Sequence, residues 1–280
     1  LFVAIGAATA ELAPPERLSQ ALGLTGASML VMNAIAPAVA EPLADAAGWP
    51  AVFVLAAAAA LVSALLARRV REPASRHARD RNLRSGLFQV LARPLVAHYA
   101  CVVLLAGMTF GTVVTFEPPF ALAHGREQVR GFYVAFAGSA ILVRIFLGHA
   151  PDRFGRHLVA GLSLALYAAS ASGLALAPSS LLEVIGAIFG IAHGLFYPAL
   201  NAIALASVSA HERGRVMAIF TAAFNLGVGA TVFLGVAAEH VGYAPVFHVA
   251  GAAALAAAIV VATSRELRVA GAREPRSTSR

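Results

Sequence analysis

Long apolar runs recur along the chain and alternate with mostly short polar loops. Eight of these runs approach 20 residues, the length that a helix needs to cross the hydrocarbon core of a bilayer. They cover roughly residues 22–40, 50–67, 95–116, 131–150, 158–177, 181–206, 215–236 and 244–263. The pattern predicts an all-α, polytopic transmembrane helical bundle.

A ninth apolar stretch, residues 1–10, is too short to span a membrane. The Ala-Thr-Ala at 8–10 is similar to a signal-peptide cleavage site, but no basic residue precedes the apolar segment. We therefore interpret residues 1–10 as a partial span. The prediction is eight full spans plus this N-terminal part.

The composition agrees with a membrane protein and excludes other classes. Of the 280 residues, 59% are hydrophobic and 12% are charged, whereas soluble domains average about 45–50% apolar and about 25% charged residues. All 21 basic residues are Arg, and Cys101 is the one cysteine. Lysine-dependent chemistry and thiolate metal sites are therefore excluded. No His-Glu-x-x-His or Gly-x-Ser-x-Gly motif occurs, so we expect no enzyme, no metal and no cofactor.

The arginines lie almost entirely on one side of the predicted membrane. Eighteen of the 21 fall in loops of that side, only Arg126 and Arg130 lie in loops of the other, and Arg144 lies within a span. Cytoplasmic loops are rich in basic residues, so the arginine-rich side is predicted to be cytoplasmic, including the tail at 265–280. The net charge of +7 then reflects topology, and no nucleic-acid partner is needed.

A 27-residue loop at 68–94, with eight arginines, divides the chain. Two spans and the partial one precede it in 1–67, and six spans follow in 95–264. If the protein has two equal six-span halves, three spans and most of a fourth are absent from the first half. An unequal architecture that is complete as given is the alternative.

A glycine- and arginine-rich motif lies between the fourth and fifth full spans. Residues 148–156 read Gly-His-Ala-Pro-Asp-Arg-Phe-Gly-Arg. This motif resembles the G-x-x-x-D-R-x-G-R cytoplasmic loop of the major facilitator superfamily. Segments 11–17 and 211–215 carry Glu-Arg pairs before spans in corresponding places, as parallel repeats predict. The resemblance covers the whole chain, from about helix four to helix twelve of that family.

The resemblance implies an organisation and a function. Residues 1–67 would be the end of an N-terminal bundle, with partial helix four and helices five and six; 68–94 would be the cytoplasmic central loop, and 95–264 the C-terminal six-helix bundle. The protein would be a secondary transporter of a small solute, monomeric at full length, in a lipid bilayer such as the bacterial inner membrane. Residues 115–119 and 196–200 resemble sugar and drug efflux permeases. The alternative is a truncated or non-transporting membrane protein without a complete N-terminal bundle.

The motif also has a physical interpretation. An aspartate at a helix end can accept hydrogen bonds from free N–H groups of a neighbouring helix N-terminus, and glycine permits a tight turn. By resemblance, the loop latches the two halves together on the cytoplasmic side, with Asp152 on the start of the 22–40 span. The latch residues are Gly148, Asp152, Arg153, Gly155 and Arg156. The alternative is that Arg153 and Arg156 only anchor the topology.

The predicted 181–206 span carries one polar face. His193, Tyr197 and Asn201 share that face with Gly186, Gly190 and Gly194. Polar groups in lipid are costly and normally face a bundle interior or a cavity. Glycines at this spacing instead favour close helix crossing. Both interpretations, cavity wall and packing face, remain open at this stage.

Other polar residues within spans complete the candidate substrate cavity. These are Asn33, His98, Thr112, Arg144 and Asn225. Thr112 could equally bond back to its own helix, and Arg144 could snorkel, support the latch or bind an anion. Such a cavity suits a neutral or amphipathic solute. His193 or His98 could couple transport to protons. Glu117, at the end of its span, is expected to be solvated.

Overall fold

The computed structural model describes residues 38–69, 83–126, 128–176, 178–206 and 212–263, together with residues 32, 35, 36 and 208. Asn33, the centre of the 68–94 loop and the 265–280 tail lie outside these residues, as does the side chain of Asp152. Within the described ranges the chain is helical and contains no strand. The all-α prediction is therefore confirmed.

A helical segment at 38–47 precedes nine labelled helices. These are α1 (Trp49–Ala67), α2 (Leu83–Leu91), α3 (Pro94–Ala123), α4 (Arg130–Phe146), α5 (Ala150–Phe154), α6 (Arg156–Leu174), α7 (Leu182–Ala206), α8 (Arg213–Val241) and α9 (Tyr243–Thr263). Of these, α1, α3, α6, α7, α8 and α9 are long and apolar enough to cross a membrane. Helix α4 has 17 residues and is slightly shorter.

Of the predicted spans that correspond to labelled helices, three end four or more residues from the end of the observed helix. One is the 215–236 span, since α8 continues to Val241. The 95–116 span continues to Ala123, through Pro118 and Pro119, because the helix tolerates both prolines. The 131–150 span ends at Phe146 and is followed by the short α5. Hydropathy alone does not indicate where these helices end. The residues after Phe146, for example, include further apolar ones.

Six helices pack into one bundle. Helix α3 packs along α8 and α9, α9 packs on α6, α6 on α7, and α7 on α4, so that α4 and α8 stand at the two ends of the series. The buried interior is rich in aromatic side chains, including Tyr99, Phe132, Phe136, Tyr167, Phe189, Phe196, Phe220 and Phe247. Helix α1, by contrast, has no buried residue.

Glycine sets how closely α3 and α8 approach. A Cβ at Gly227 of α8 would overlap the carbonyl oxygen of Leu104, and a Cβ at Gly107 of α3 would overlap that of Phe224. Backbones can come this close only where small residues face each other. The contact fixes α8 beside α3, with the partly buried Phe224 at the point of closest approach.

Candidate functional site

His193 lies where four helices meet. Its side chain on α7 is 6% exposed, and its ring stacks on Phe110 of α3 with centroids 5.0 Å apart. Phe136 of α4 lies 5.6 Å away, edge to face, and the Tyr167 hydroxyl of α6 is 3.3 Å from Nδ1. Aromatic rings therefore enclose the imidazole here, and its place in the wall of a water-filled cavity stays a prediction.

The glycines of α7 pack directly on α4. A Cβ at Gly186 would lie 2.8 Å from the carbonyl oxygen of Phe132, and one at Gly194 would lie 2.9 Å from that of Ala140. At Gly190, between them, a Cβ would overlap the carbonyl oxygen of Phe136. The packing interpretation therefore holds for the three glycines. It leaves the polar residues of the same helix to be considered separately.

Three of the predicted cavity residues come together near one end of α7. Tyr197 and Asn201, one helical turn apart, are partly buried, and their side chains are close enough to interact. Arg144 of α4 is close enough to Tyr197 to interact with it electrostatically. We call Arg144, Tyr197 and Asn201 the Arg144 cluster.

The Arg144 cluster contains polar atoms without partners. Arg144 Nε and Asn201 Oδ1 are both buried and have no hydrogen-bond partner in the part of the chain that the structure describes. One is a donor and the other an acceptor. The cluster also adjoins the aromatic interior, since the Tyr197 ring lies 6.5 Å from that of His193 and 6.0 Å from that of Phe224. The cluster can therefore form hydrogen bonds to a polar group of a ligand and attract it with the Arg144 cation, beside apolar aromatic rings.

The remaining cavity candidates are more dispersed. Thr112 is buried, and its hydroxyl donates to Met108 O of its own helix at 2.7 Å. Asn225 is exposed on α8 and donates to Thr221 O at 2.8 Å. His98 lies in the first turns of α3, with Nδ1 2.5 Å from Pro94 O. The structure thus joins His193 to the Arg144 cluster and leaves these three outside it.

The predicted latch loop forms a short helix between two turns. Gly148 follows the end of α4, where an added Cβ would overlap the carbonyl oxygen of Arg144. Gly155 has φ of 98° and separates α5 from α6, a conformation that glycine adopts without strain. Arg153 is exposed, with its guanidinium 5.6 Å from the Phe154 ring, and Arg156 is partly buried. The latch function stays a prediction, since nothing is described of the Asp152 side chain.

The expectation that Glu117 is solvated was wrong. Its side chain is 1% exposed, because α3 continues beyond it to Ala123 and packs there against its neighbours. Ion pairs across the bundle were also missed. Arg93 pairs with Glu212 at one end of the bundle, and Arg126 pairs with Glu183 at the other. Each joins residues far apart in sequence, and no local pattern indicates such a pair.

Packed helices that are long and apolar enough to cross a membrane define the class as a multi-pass membrane protein. The model of the Major Facilitator Superfamily matches residues 1–149 and 127–280, and the chain belongs to that superfamily of membrane transporters. It is also 32% identical over 161 residues to an uncharacterized MFS-type transporter of Salmonella typhimurium. That match covers 56% of this chain and 41% of the relative, so the chain spans less than half of the relative's length.

Proposed function

We propose that the protein is a secondary active transporter that exports a small solute by alternating access, and that its substrate contacts the Arg144 cluster. Membership of the Major Facilitator Superfamily supports a membrane transporter. In such folds two helical bundles rock about a site near the bilayer midplane. The cluster lies on α4 and α7, one of which stands at an end of the packed series of helices.

The observation that carries the proposal is the unpartnered pair Arg144 Nε and Asn201 Oδ1. A buried polar atom without a hydrogen bond costs free energy, and polar side chains within a membrane generally mark a substrate or ion pathway. A bound solute that accepts from Arg144 and donates to Asn201 would remove that cost. The Tyr197 and His193 rings would then contact the apolar part of the solute.

This arrangement favours an amphipathic solute with one polar group that both donates and accepts. A partly buried cation close to Tyr197 suits such a molecule better than a dianion. From the sequence alone, Asn225, Thr112, His98 and Asn33 stay candidates for the same pathway. Proton coupling through His193 or His98 remains part of the sequence-based prediction.

The proposal includes an orientation. The end of the bundle that carries Arg93, Glu212 and the 148–156 loop is assigned to the cytoplasm, as is the C-terminal tail, because of the arginine distribution. The bacterial inner membrane is the proposed location. Asp152 would act in the latch between the two halves of the full-length protein.

The test is export of fluorescent amphipathic dyes from bacterial cells that lack their main efflux pumps. Cells expressing the full-length protein should retain less of at least one dye than cells with an empty vector. The Arg144→Gln variant should lose this effect, whereas Arg69→Gln, a change at an exposed arginine, should not. Equal dye retention with and without the protein, for every dye in the panel, would contradict export of this substrate class.

A further inference from the structure

Glu117 is a buried carboxylate that nothing in the described structure satisfies. Its side chain is 1% exposed, and neither Oε1 nor Oε2 has a hydrogen-bond partner in the described ranges. An ionised carboxylate in such surroundings is strongly disfavoured unless it is paired, and binding a proton removes the cost. Glu117 lies six residues before the end of α3, at what we call the Glu117 end of the bundle.

Beside Glu117, a backbone carbonyl that lacks its helical donor finds another hydrogen-bond donor, whereas the Glu117 carboxylate does not. Pro118 has no N–H, so the carbonyl of Val114, four residues earlier, loses its helical donor. The Tyr133 hydroxyl of α4 donates to that carbonyl at 2.6 Å. Its one hydrogen is therefore used, and Tyr133 cannot also donate to Glu117.

Two charged groups have opposite electrostatic effects on Glu117. Arg126, in the α3–α4 loop, attracts its negative charge, and Glu41 of the 38–47 segment repels it. The backbone N–H of Arg126 donates to Ala121 O at 3.1 Å, which holds Arg126 near the turn of α3 that follows Glu117. The Arg126 guanidinium, however, pairs with Glu183 at the start of α7.

The other titratable groups at this end do not bind Glu117. Glu41 Oε1 accepts from the backbone N–H of Val129 at 3.3 Å, and His124 Nδ1 lies 2.8 Å from Phe120 O. Tyr243 of α9 contacts the Phe116 ring. Glu239 and His240, in the last turn of α8, are exposed. Arg126 is thus the cation that interacts electrostatically with Glu117, and it also pairs with Glu183.

We propose that Glu117 is a proton-binding group that controls the Arg126–Glu183 ion pair. With Glu117 protonated and neutral, Arg126 stays with Glu183 and holds the α3–α4 loop against the start of α7. When the proton leaves to water at the Glu117 end, the new carboxylate competes for Arg126, and the contact between the loop and α7 is released. The proton site of the proposed transporter is then Glu117, in place of His193, which contacts Tyr167, or His98, which contacts Pro94 O.

The first experiment measures protonation in the unmodified full-length protein in liposomes. The apolar reagent dicyclohexylcarbodiimide reacts with protonated, buried carboxylic acids, and mass spectrometry locates the adduct. Glu239, which is exposed on α8, is the control residue. Glu117 should therefore be labelled at pH 7 and Glu239 should not, with the label on Glu117 falling as the pH rises. Absence of label on Glu117, or equal labelling of Glu239, would overturn the proposal.

The second experiment measures the distance between the α3–α4 loop and the start of α7. Spin labels at Gln128 and Leu181, exposed positions on either side of the Arg126–Glu183 pair, are introduced in a full-length Cys101→Ser background. A second, longer distance should appear as the pH rises. In Glu117→Gln the short distance should persist at every pH, while Glu239→Gln should behave like the parent. A distance that does not change with pH, or that changes as much in Glu117→Gln as in the parent, would overturn the proposal.

The role of Glu117 in transport rests on the proposed function, whereas its control of the Arg126–Glu183 pair does not. Neither experiment uses a transported solute. Failure to find a transported dye therefore leaves both readouts interpretable, and failure of both readouts leaves dye export untouched.

Discussion

Arg93 and Glu212 form a two-point ion pair across 119 residues of sequence. Arg93 Nη2 donates to Glu212 Oε1 at 2.6 Å, and Nη1 donates to Oε2 at 3.1 Å. The pair joins the residue before α3 to the residue before α8. It gives the Glu-Arg motif at 212–213 a structural role that the sequence alone did not reveal.

Breaking this pair should destabilise the bundle. Glu212 is nearly buried, with 12% of its side chain exposed, whereas Arg93 is about half exposed. Arg93→Gln should therefore cost about 1–2 kcal/mol, less than a fully buried pair would. The measurement is unfolding of the purified full-length protein in denaturing detergent. Arg69→Gln, at an exposed arginine, should have no measurable effect, and equal losses in the two variants would refute the assignment.

A second prediction concerns the contact between α4 and α7. Gly190→Ala should lower stability by about 1–3 kcal/mol, because the added methyl group meets the Phe136 carbonyl oxygen and Ser139 Oγ. Gly138→Ala is the matched control, since a Cβ there has no heavy atom of a neighbour within 4 Å. The same unfolding assay compares them. A control variant as unstable as Gly190→Ala would show that helix propensity or insertion, and not close packing, governs the result.

The two glycine-rich contacts illustrate what the sequence could predict. Hydropathy and length were sufficient for the all-α class and for most span positions, because lipid requires long apolar helices. The spacing of Gly186, Gly190 and Gly194 allowed both a packing face and a cavity wall. Choosing between them required the position of α4, which no pattern within 181–206 contains.

The environments of Glu117 and His193 depend on distant parts of the chain. The predicted span ends at residue 116, yet α3 continues through Pro118 and Pro119, with Tyr133 of α4 satisfying the carbonyl that Pro118 frees. His193 was recognised as a polar residue within a span. Its aromatic neighbours come from α3, α4 and α6 as well as from α7. Tertiary packing of this kind leaves no local signal in the sequence.

Accessibility to a thiol reagent should separate the Arg144 cluster from the packed faces of α7. In a Cys101→Ser background, cysteines at 197 and 201 should react with a small hydrophilic reagent, and an exported dye should protect them. Removal of Cys101 is necessary because that thiol is itself exposed. Cysteines at 188 and 195, on other faces of α7, should react slowly. If all four positions react alike, the cluster does not line a pathway.

Asp152 tests the proposed latch. Asp152→Asn keeps the shape of the side chain and removes its charge, so a charge-assisted hydrogen bond worth about 1–3 kcal/mol should be lost. A change of that size shifts a two-state equilibrium by roughly 5- to 150-fold. Dye export by the full-length protein should fall strongly while its amount in the membrane stays constant. Export at the parent rate would instead identify the 148–156 loop as a topology anchor.

The most direct test of the account is dye transport by the purified full-length protein in liposomes. The dye is one that cells export, and the proteins compared are the parent, Arg144→Gln and Arg69→Gln. The parent and Arg69→Gln should move the dye at equal rates, and Arg144→Gln should be slower by about tenfold or more, as expected for loss of a charged hydrogen bond of about 1.5–3 kcal/mol. No dye movement by the parent, or an undiminished rate in Arg144→Gln, would contradict the assignment of the Arg144 cluster as the substrate site.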